Sequence, residues 1–232
     1  MKDRDIDDIL KRSAEGARDV DPALLDHVTD SMRSSLRPVR PIPAPSILAS
    51  AVALICVIVA LAGAMLLKPY GIQKMNALEI GLIFPVLGIL IWIASALCVS
   101  EVIPGSRRPV APWSLSLSGC LALSVVFALL FSDYRTERFV SQGMTCLTAG
   151  LLHAIPVSVA SVWVLSRGFA LNSVAGGLAK GTLAGLAGVT MLELHCPNFE
   201  APHVMVWHIA VLAVSGVVGG LMGWTVRAYR SQ

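Results

Sequence analysis

The chain has 232 residues, of which 55% are hydrophobic and only 14% charged, and its mean hydropathy is +0.72. A soluble domain carries about a quarter charged residues, so this composition excludes an ordinary soluble protein. A net charge of +3 is too small to argue for a nucleic-acid surface.

The charge is segregated: residues 1–46 hold 17 of the 33 charged side chains. They read as a separate unit, an amphipathic tail followed by a Pro-rich linker. The first apolar run begins near residue 47, behind this charged tail. That order is not a signal-peptide pattern and predicts a retained anchor. Within the tail, Ile6, Ile9 and Leu10 predict one short helix. Asp3, Asp5, Asp7 and Asp8 lie near its start, where the helix dipole favours anions, and Gly16 ends it. A second helix begins at Asp21, which can cap, and Pro22, which suits the first helical position. Leu24, Leu25, Val28, Met32 and Leu36 then follow helical spacing as one narrow apolar stripe. Neither helix has enough apolar surface for a core of its own. The tail therefore folds against a partner, or else lies solvated or on the membrane surface. Leu24, Leu25, Val28 and Met32 are the candidate partner-binding residues. Pro38, Pro41, Pro43 and Pro45 predict a stiff extended linker.

Six apolar runs follow, at about 47–67, 77–100, 111–131, 146–165, 169–192 and 204–224. Each is near the ~20 residues needed to cross a bilayer. The expected fold is all-α: a polytopic six-transmembrane-helix bundle over residues 47–226, with a short cytoplasmic N-terminal tail. Trp113, Trp163, Trp207 and Trp224 lie near the ends of the runs, as interfacial aromatics do. With the N-terminus in the cytoplasm, the inner segments carry Arg33, Arg37, Arg40, Arg107, Arg108, Arg167, Arg227 and Arg230. The outer loops carry only Lys68, Lys74, Arg135 and Arg138. This balance favours both termini inside, with loops 132–145 and 193–203 facing out. Gly177, Gly181 and Gly185 repeat every four residues, as do Gly216 with Gly220 and Gly219 with Gly223. Small residues at this spacing let helix backbones approach closely in lipid.

The five cysteines include no C-x-x-C pair, which excludes zinc-ribbon and thioredoxin sites. Cys56, Cys98 and Cys120 fall inside apolar runs and read as small buried hydrophobes. Cys146 and Cys196 differ, because the chosen topology puts both at the outer face. In an oxidising compartment such a pair forms a disulfide, and thiolates also suit soft metal ions. His195 adjoins Cys196, His203 closes the same loop, and His153 lies seven residues after Cys146. Cys146, Cys196, His195, His153 and His203 are therefore the candidate metal ligands. The competing reading is a permanent structural disulfide with unrelated histidines. His153 precedes Pro156, which leaves one carbonyl without its helical donor. Lys180 lies inside the fifth run and either faces the bundle or snorkels to the cytoplasm. Glu79 and Glu193 are expected to be solvated near outer helix ends.

No Gly-rich phosphate loop, H-E-x-x-H or G-x-S-x-G is present, so an enzyme is not expected. No resident cofactor is expected either, a soft heavy-metal ion entering only as a signal. A small transporter or metal-binding permease is the alternative. It is weakened because no acidic group lies deep in a span.

The stretch Leu194-His195-Cys196-Pro197, then Ala201-Pro202-His203 and Trp207-His208, resembles the late motif of the negative-regulator-of-sigma-F family (NrsF) of bacterial anti-sigma factors. The pattern Cys146, Gly150, His153 and Pro156, and the plan of a tail before six spans, are also similar to that family. The resemblance covers most of the membrane region. It implies an inner-membrane protein whose cytoplasmic side holds an extracytoplasmic-function sigma factor of the sigma-F type, without touching nucleic acid itself. It also implies release of that sigma factor on an outside oxidative or heavy-metal stress, with Cys146 and Cys196 as the sensing pair. The tail departs from the family pattern in its length and in its acidic start.

Overall fold

The computed structural model describes residues 8, 11, 21–35, 43–103, 105–136, 138–165 and 172–230. The chain divides into two units, Met1–Pro41 and Ile42–Gln232. In the first, α1 (Pro22–Ser35) forms where expected. The Asp21 carboxylate accepts from the Ala23 N–H at 3.0 Å, and the Asp21 carbonyl takes the first helical bonds from Leu24 and Leu25. Leu24, Leu25, Val28 and Met32 are all exposed on this helix. The shorter helix expected around Ile6 to Leu10 lies outside the described residues except for Asp8.

The second unit contains six helices long and apolar enough to cross a membrane. They are α2 (Pro45–Leu67), α3 (Ala77–Ser100), α4 (Pro112–Leu130), α5 (Phe139–Val164), α6 (Ser173–His195) and α7 (Ile209–Arg230). A turn at Ala201–His203 and a π-helical turn at Val204–His208 lead into α7. The protein is a multi-pass, all-helical membrane bundle. Pro45 and Pro112 open α2 and α4, where the missing N–H costs nothing. A capping box opens α3: Asn76 Oδ1 accepts from the Glu79 N–H at 2.9 Å, and Glu79 Oε2 accepts from the Asn76 N–H at 2.8 Å.

The bundle is built around α6. Residues 181–194 of that helix are buried without a break, and α6 touches α2, α3, α4, α5 and α7. Its glycines let the backbones of α7 and α5 come close, while Leu183, Leu186, Met191 and Leu192 are fully buried among the surrounding helices. Against α7, the backbone at Gly177 meets the Gly219 carbonyl, Gly181 meets the Ser215 carbonyl, and Gly223 meets the Ser173 carbonyl. A methyl group at any of the three would collide with main chain. Against α5, a Cβ on Gly188 would lie 2.5 Å from the Gly150 carbonyl oxygen.

Several boundaries differ from the sequence reading by a few residues, the fifth span running from Ser173 to His195 and not from 169 to 192, and two of the differences bear on the site. The fourth span begins at Phe139 rather than near 146, so Cys146 lies two turns inside α5 and not at its mouth. The added turns are polar, but their hydroxyls bond back along the helix. Ser141 donates to the Arg138 carbonyl at 3.2 Å and Thr145 to the Ser141 carbonyl at 3.1 Å. The last span begins at Ala201 rather than near 204, because Pro202 opens a helical turn that the polarity of the loop conceals.

Candidate functional site

The end of α6 is set by its own sequence. Pro197 cannot continue the helix and disfavours helical backbone at the residue before it. Cys196 is accordingly extended (φ −71°, ψ 119°) and still donates its N–H to the Leu192 carbonyl at 2.7 Å. The segment 68–72 closes over this end. Gly71 and Ile72 donate to the carbonyls of His195 and Leu194, each at 3.2 Å. Gly71 is required there, because a Cβ would lie 2.6 Å from the Glu193 carbonyl oxygen. The far side is tied by the Asn198 amide donating to Gln142 Oε1 on α5 at 2.8 Å, and by Ala201 N–H donating to the Asp133 carbonyl at 2.7 Å.

These ties bring two sulfurs together. Cys146 Sγ and Cys196 Sγ are 3.5 Å apart and unbonded. Cys196 Sγ is also 3.5 Å from His203 Nε2. A fourth group completes the cluster: one ligand atom from each of Cys146, Cys196, His203 and His208 lies within 4.8 Å of all the others. Cys196, His203 and His208 are buried and Cys146 partly so. The two histidine rings meet edge to face at 5.4 Å. They are five positions apart, which on an α-helix puts them on different faces. The π turn bonds residue i to i+5 and stacks 208 over 203.

Glu193 stands behind the cluster. It is fully buried, and its Oε1 accepts from His208 Nδ1–H at 2.6 Å. This corrects the expectation of a solvated Glu193: the last turn of α6 is covered by the segment 68–72 and by α7. The hydrogen bond commits His208 Nδ1 to the carboxylate. The other nitrogen, Nε2, is buried with no hydrogen-bond partner among the described residues. The Cys196 thiol is held above the ordinary thiol range. Its hydrogen bond with Cys146 is the main cause and burial the second, with His203 and His208 pulling the other way.

A cleft of about 880 Å³ leads to the cluster from the loop end. Cys146, Cys196 and His203 form its inner wall, and Lys74, Arg135 and Arg138 line its mouth.

The structure does not bring His195 and His153 into this group. His195 is the last residue of α6, and its Nδ1 lies 2.8 Å from the Lys68 carbonyl, on the side of α6 facing segment 68–72. His153 bonds back to the Ala149 carbonyl at 2.9 Å, and its ring packs on Gly63 of α2. His208 and Glu193 were missed as site residues. The Trp207-His208 pair was in view, but a straight helix would have turned His208 away. Cys56 and Cys98 are buried in the core, as small hydrophobes are, and Cys120 is partly buried. Lys180 is half-buried on α6.

Fold and site together define a class: a multi-pass helical membrane protein with a cleft ending in a thiol–imidazole cluster. The profile of the family described as NrsF, negative regulator of sigma F, matches residues 33–228. The chain therefore belongs to the NrsF family, whose members are regulators and not enzymes. It is similar to a protein named probable anti-sigma-F factor NrsF from Azospira oryzae (strain ATCC BAA-33 / DSM 13638 / PS), with 25% identity over 174 residues. That alignment covers 70% of this chain and 81% of the relative. No solved structure matches the chain.

Proposed function

We propose that this protein is an anti-sigma factor of the bacterial inner membrane, with both termini in the cytoplasm. It holds a sigma-F-like extracytoplasmic-function sigma factor and releases it when an oxidative or heavy-metal stress reaches Cys146 and Cys196 from outside. The observation that carries the sensing role is the 3.5 Å gap between the two sulfurs on the inner wall of an open cleft. Such a pair is close enough to react and free to do so.

In the oxidative case, an electrophilic oxidant takes two electrons from the pair. Two protons leave, and one S–S bond forms, drawing the sulfurs to about 2 Å. In the metal case the thiols become thiolate ligands and the same two protons leave. Either event favours one arrangement of α5 against the end of α6 over another. A signal can shift this balance only by its different affinity for the two states. A tenfold change in sigma retention needs about 1.4 kcal/mol.

On the cytoplasmic side, the exposed stripe Leu24, Leu25, Val28 and Met32 on α1 is the proposed sigma-binding surface. The family match begins at residue 33, so this assignment rests on periodicity and exposure. The test is co-purification of the full-length protein in detergent with sigma factors of the source cell, before and after oxidant or cadmium. One alternative sigma factor should be retained in reduced protein and lost on stress. Cys146→Ser and Cys196→Ser should retain it under both conditions. Stress release that persists in both variants refutes the sensing role. Failure to retain any sigma factor refutes the anti-sigma reading and favours metal transport, which a flux assay in proteoliposomes would then show.

A further inference from the structure

The geometry points to a single closed N2S2 site for one thiophilic divalent cation of the zinc and cadmium class, made by Cys146, Cys196, His203 and His208 and oriented by Glu193. As the identity of the signal, this rests on the sensing role proposed above. As a binding site, it stands on the following observations.

Metal–sulfur bonds of about 2.3 Å and metal–nitrogen bonds of about 2.0–2.1 Å place the corners of a tetrahedron about 3.3–3.8 Å apart. The Cys146–Cys196 separation is 3.5 Å, and the Cys196–His203 separation is 3.5 Å. All four ligand atoms fall within 4.8 Å of one another, so closing the tetrahedron takes side-chain adjustment and no refolding. Four residues separate His203 from His208, inside the usual spacing of paired histidine ligands.

The surroundings are those of a metal ligand set. The Glu193 carboxylate holds His208 Nδ1 at 2.6 Å, the carboxylate–histidine arrangement that fixes the tautomer and leaves Nε2 to the metal. That Nε2 is the buried atom without a hydrogen-bond partner among the described residues. Two thiolates neutralise a divalent ion, which suits a buried position. The set contains no carboxylate ligand, which disfavours magnesium and calcium. The cleft supplies an entry path past Cys146. Four protein ligands leave no open position, the pattern of a binding site rather than a catalytic one. Loading consumes both thiols, so a metal-bound protein cannot form the disulfide and an oxidised one cannot bind the ion.

The test is titration of reduced full-length protein in detergent with Co2+, followed by displacement with Cd2+. One ion per chain is expected, with the intense ligand-field absorption of tetrahedral cobalt and a thiolate-to-metal charge-transfer band. His203→Gln and His208→Gln should each weaken Cd2+ binding at least tenfold, and His195→Gln should leave it unchanged. Glu193→Gln, close in shape to the native side chain, should weaken binding by about 10–100-fold with the stoichiometry kept. Oxidative cross-linking of Cys146 to Cys196 in each variant reports that the two segments remain in place. An octahedral cobalt spectrum, or native affinity in the cross-linking-competent His203→Gln and His208→Gln variants, overturns the site. Tetrahedral binding with the sigma factor still held leaves the site standing and defeats the metal ion as the signal. Cadmium-driven release without the tetrahedral signature does the reverse.

Discussion

Gly188→Ala should push α5 away from α6 directly beneath the two sulfurs. Gly150 lies one turn beyond Cys146, and Gly188 lies two turns before Cys196. A Cβ on residue 188 would lie 2.5 Å from the Gly150 carbonyl oxygen and 2.8 Å from Val211 Cγ1. The valine can rotate, but the carbonyl belongs to helical main chain. Carbon-to-carbonyl contacts settle near 3.3–3.6 Å, so the two helices must separate locally by about 1 Å. The expected cost is that of overpacking, about 1–3 kcal/mol. The larger consequence is at the site, where the 3.5 Å sulfur gap widens by a comparable distance. Disulfide formation under a fixed dose of mild oxidant should slow at least several-fold, and the detergent-solubilised protein should melt earlier. Gly81→Ala is the control, since nothing lies within 4 Å of its added methyl group. It should cross-link at the native rate and melt no earlier. If Gly188→Ala cross-links and melts like the native chain, the backbone contact does not set the sulfur distance and the account of α5 on α6 is wrong.

Other outcomes follow from the same packing. Glu193→Leu leaves His208 buried without its partner and should cost about 3–5 kcal/mol, measured by thermal unfolding. The double change Glu193→Leu with His208→Leu should recover much of that loss. Alkylation of Cys196 in the reduced protein should be slow at neutral pH and rise only above the ordinary thiol range, because Cys146 and burial hold the proton on. Cys146→Ala removes the larger cause and should move that profile to lower pH, as read by mass spectrometry of the Cys196 peptide. Leu25→Asp with Val28→Asp places charge on the α1 stripe and should weaken sigma retention at least tenfold. Native retention would move the binding surface elsewhere.

The six spans were legible because their cause is composition: a run of about twenty apolar residues has few other uses. The polar start of α5 was not, since Ser141, Gln142 and Thr145 look like loop until their hydrogen bonds are seen. Cys146, Cys196 and His203 could be grouped from topology alone. His195 was a reasonable guess from adjacency, yet neighbouring residues at a helix end point apart, and its ring turns to Lys68. His153 shares a helix face with Cys146 but sits two turns further along, against Gly63. His208 and Glu193 depend on a π turn and on a loop folding over a carboxylate. Neither leaves a periodic mark in the sequence.

Where main chain meets main chain, as along α6, there are no rotamers to absorb a push. A leucine-lined seam yields by turning side chains, whereas a glycine-lined one moves as a whole or does not move. The 23 residues of α6 cover roughly 34 Å at 1.5 Å per residue, enough to cross the hydrocarbon layer. The close main-chain contacts run along that length, from Ser173 against Gly223 to Gly188 against Gly150, so the end of α6 that carries Cys196 and the end that carries Ser173 sit on one continuous glycine-lined seam.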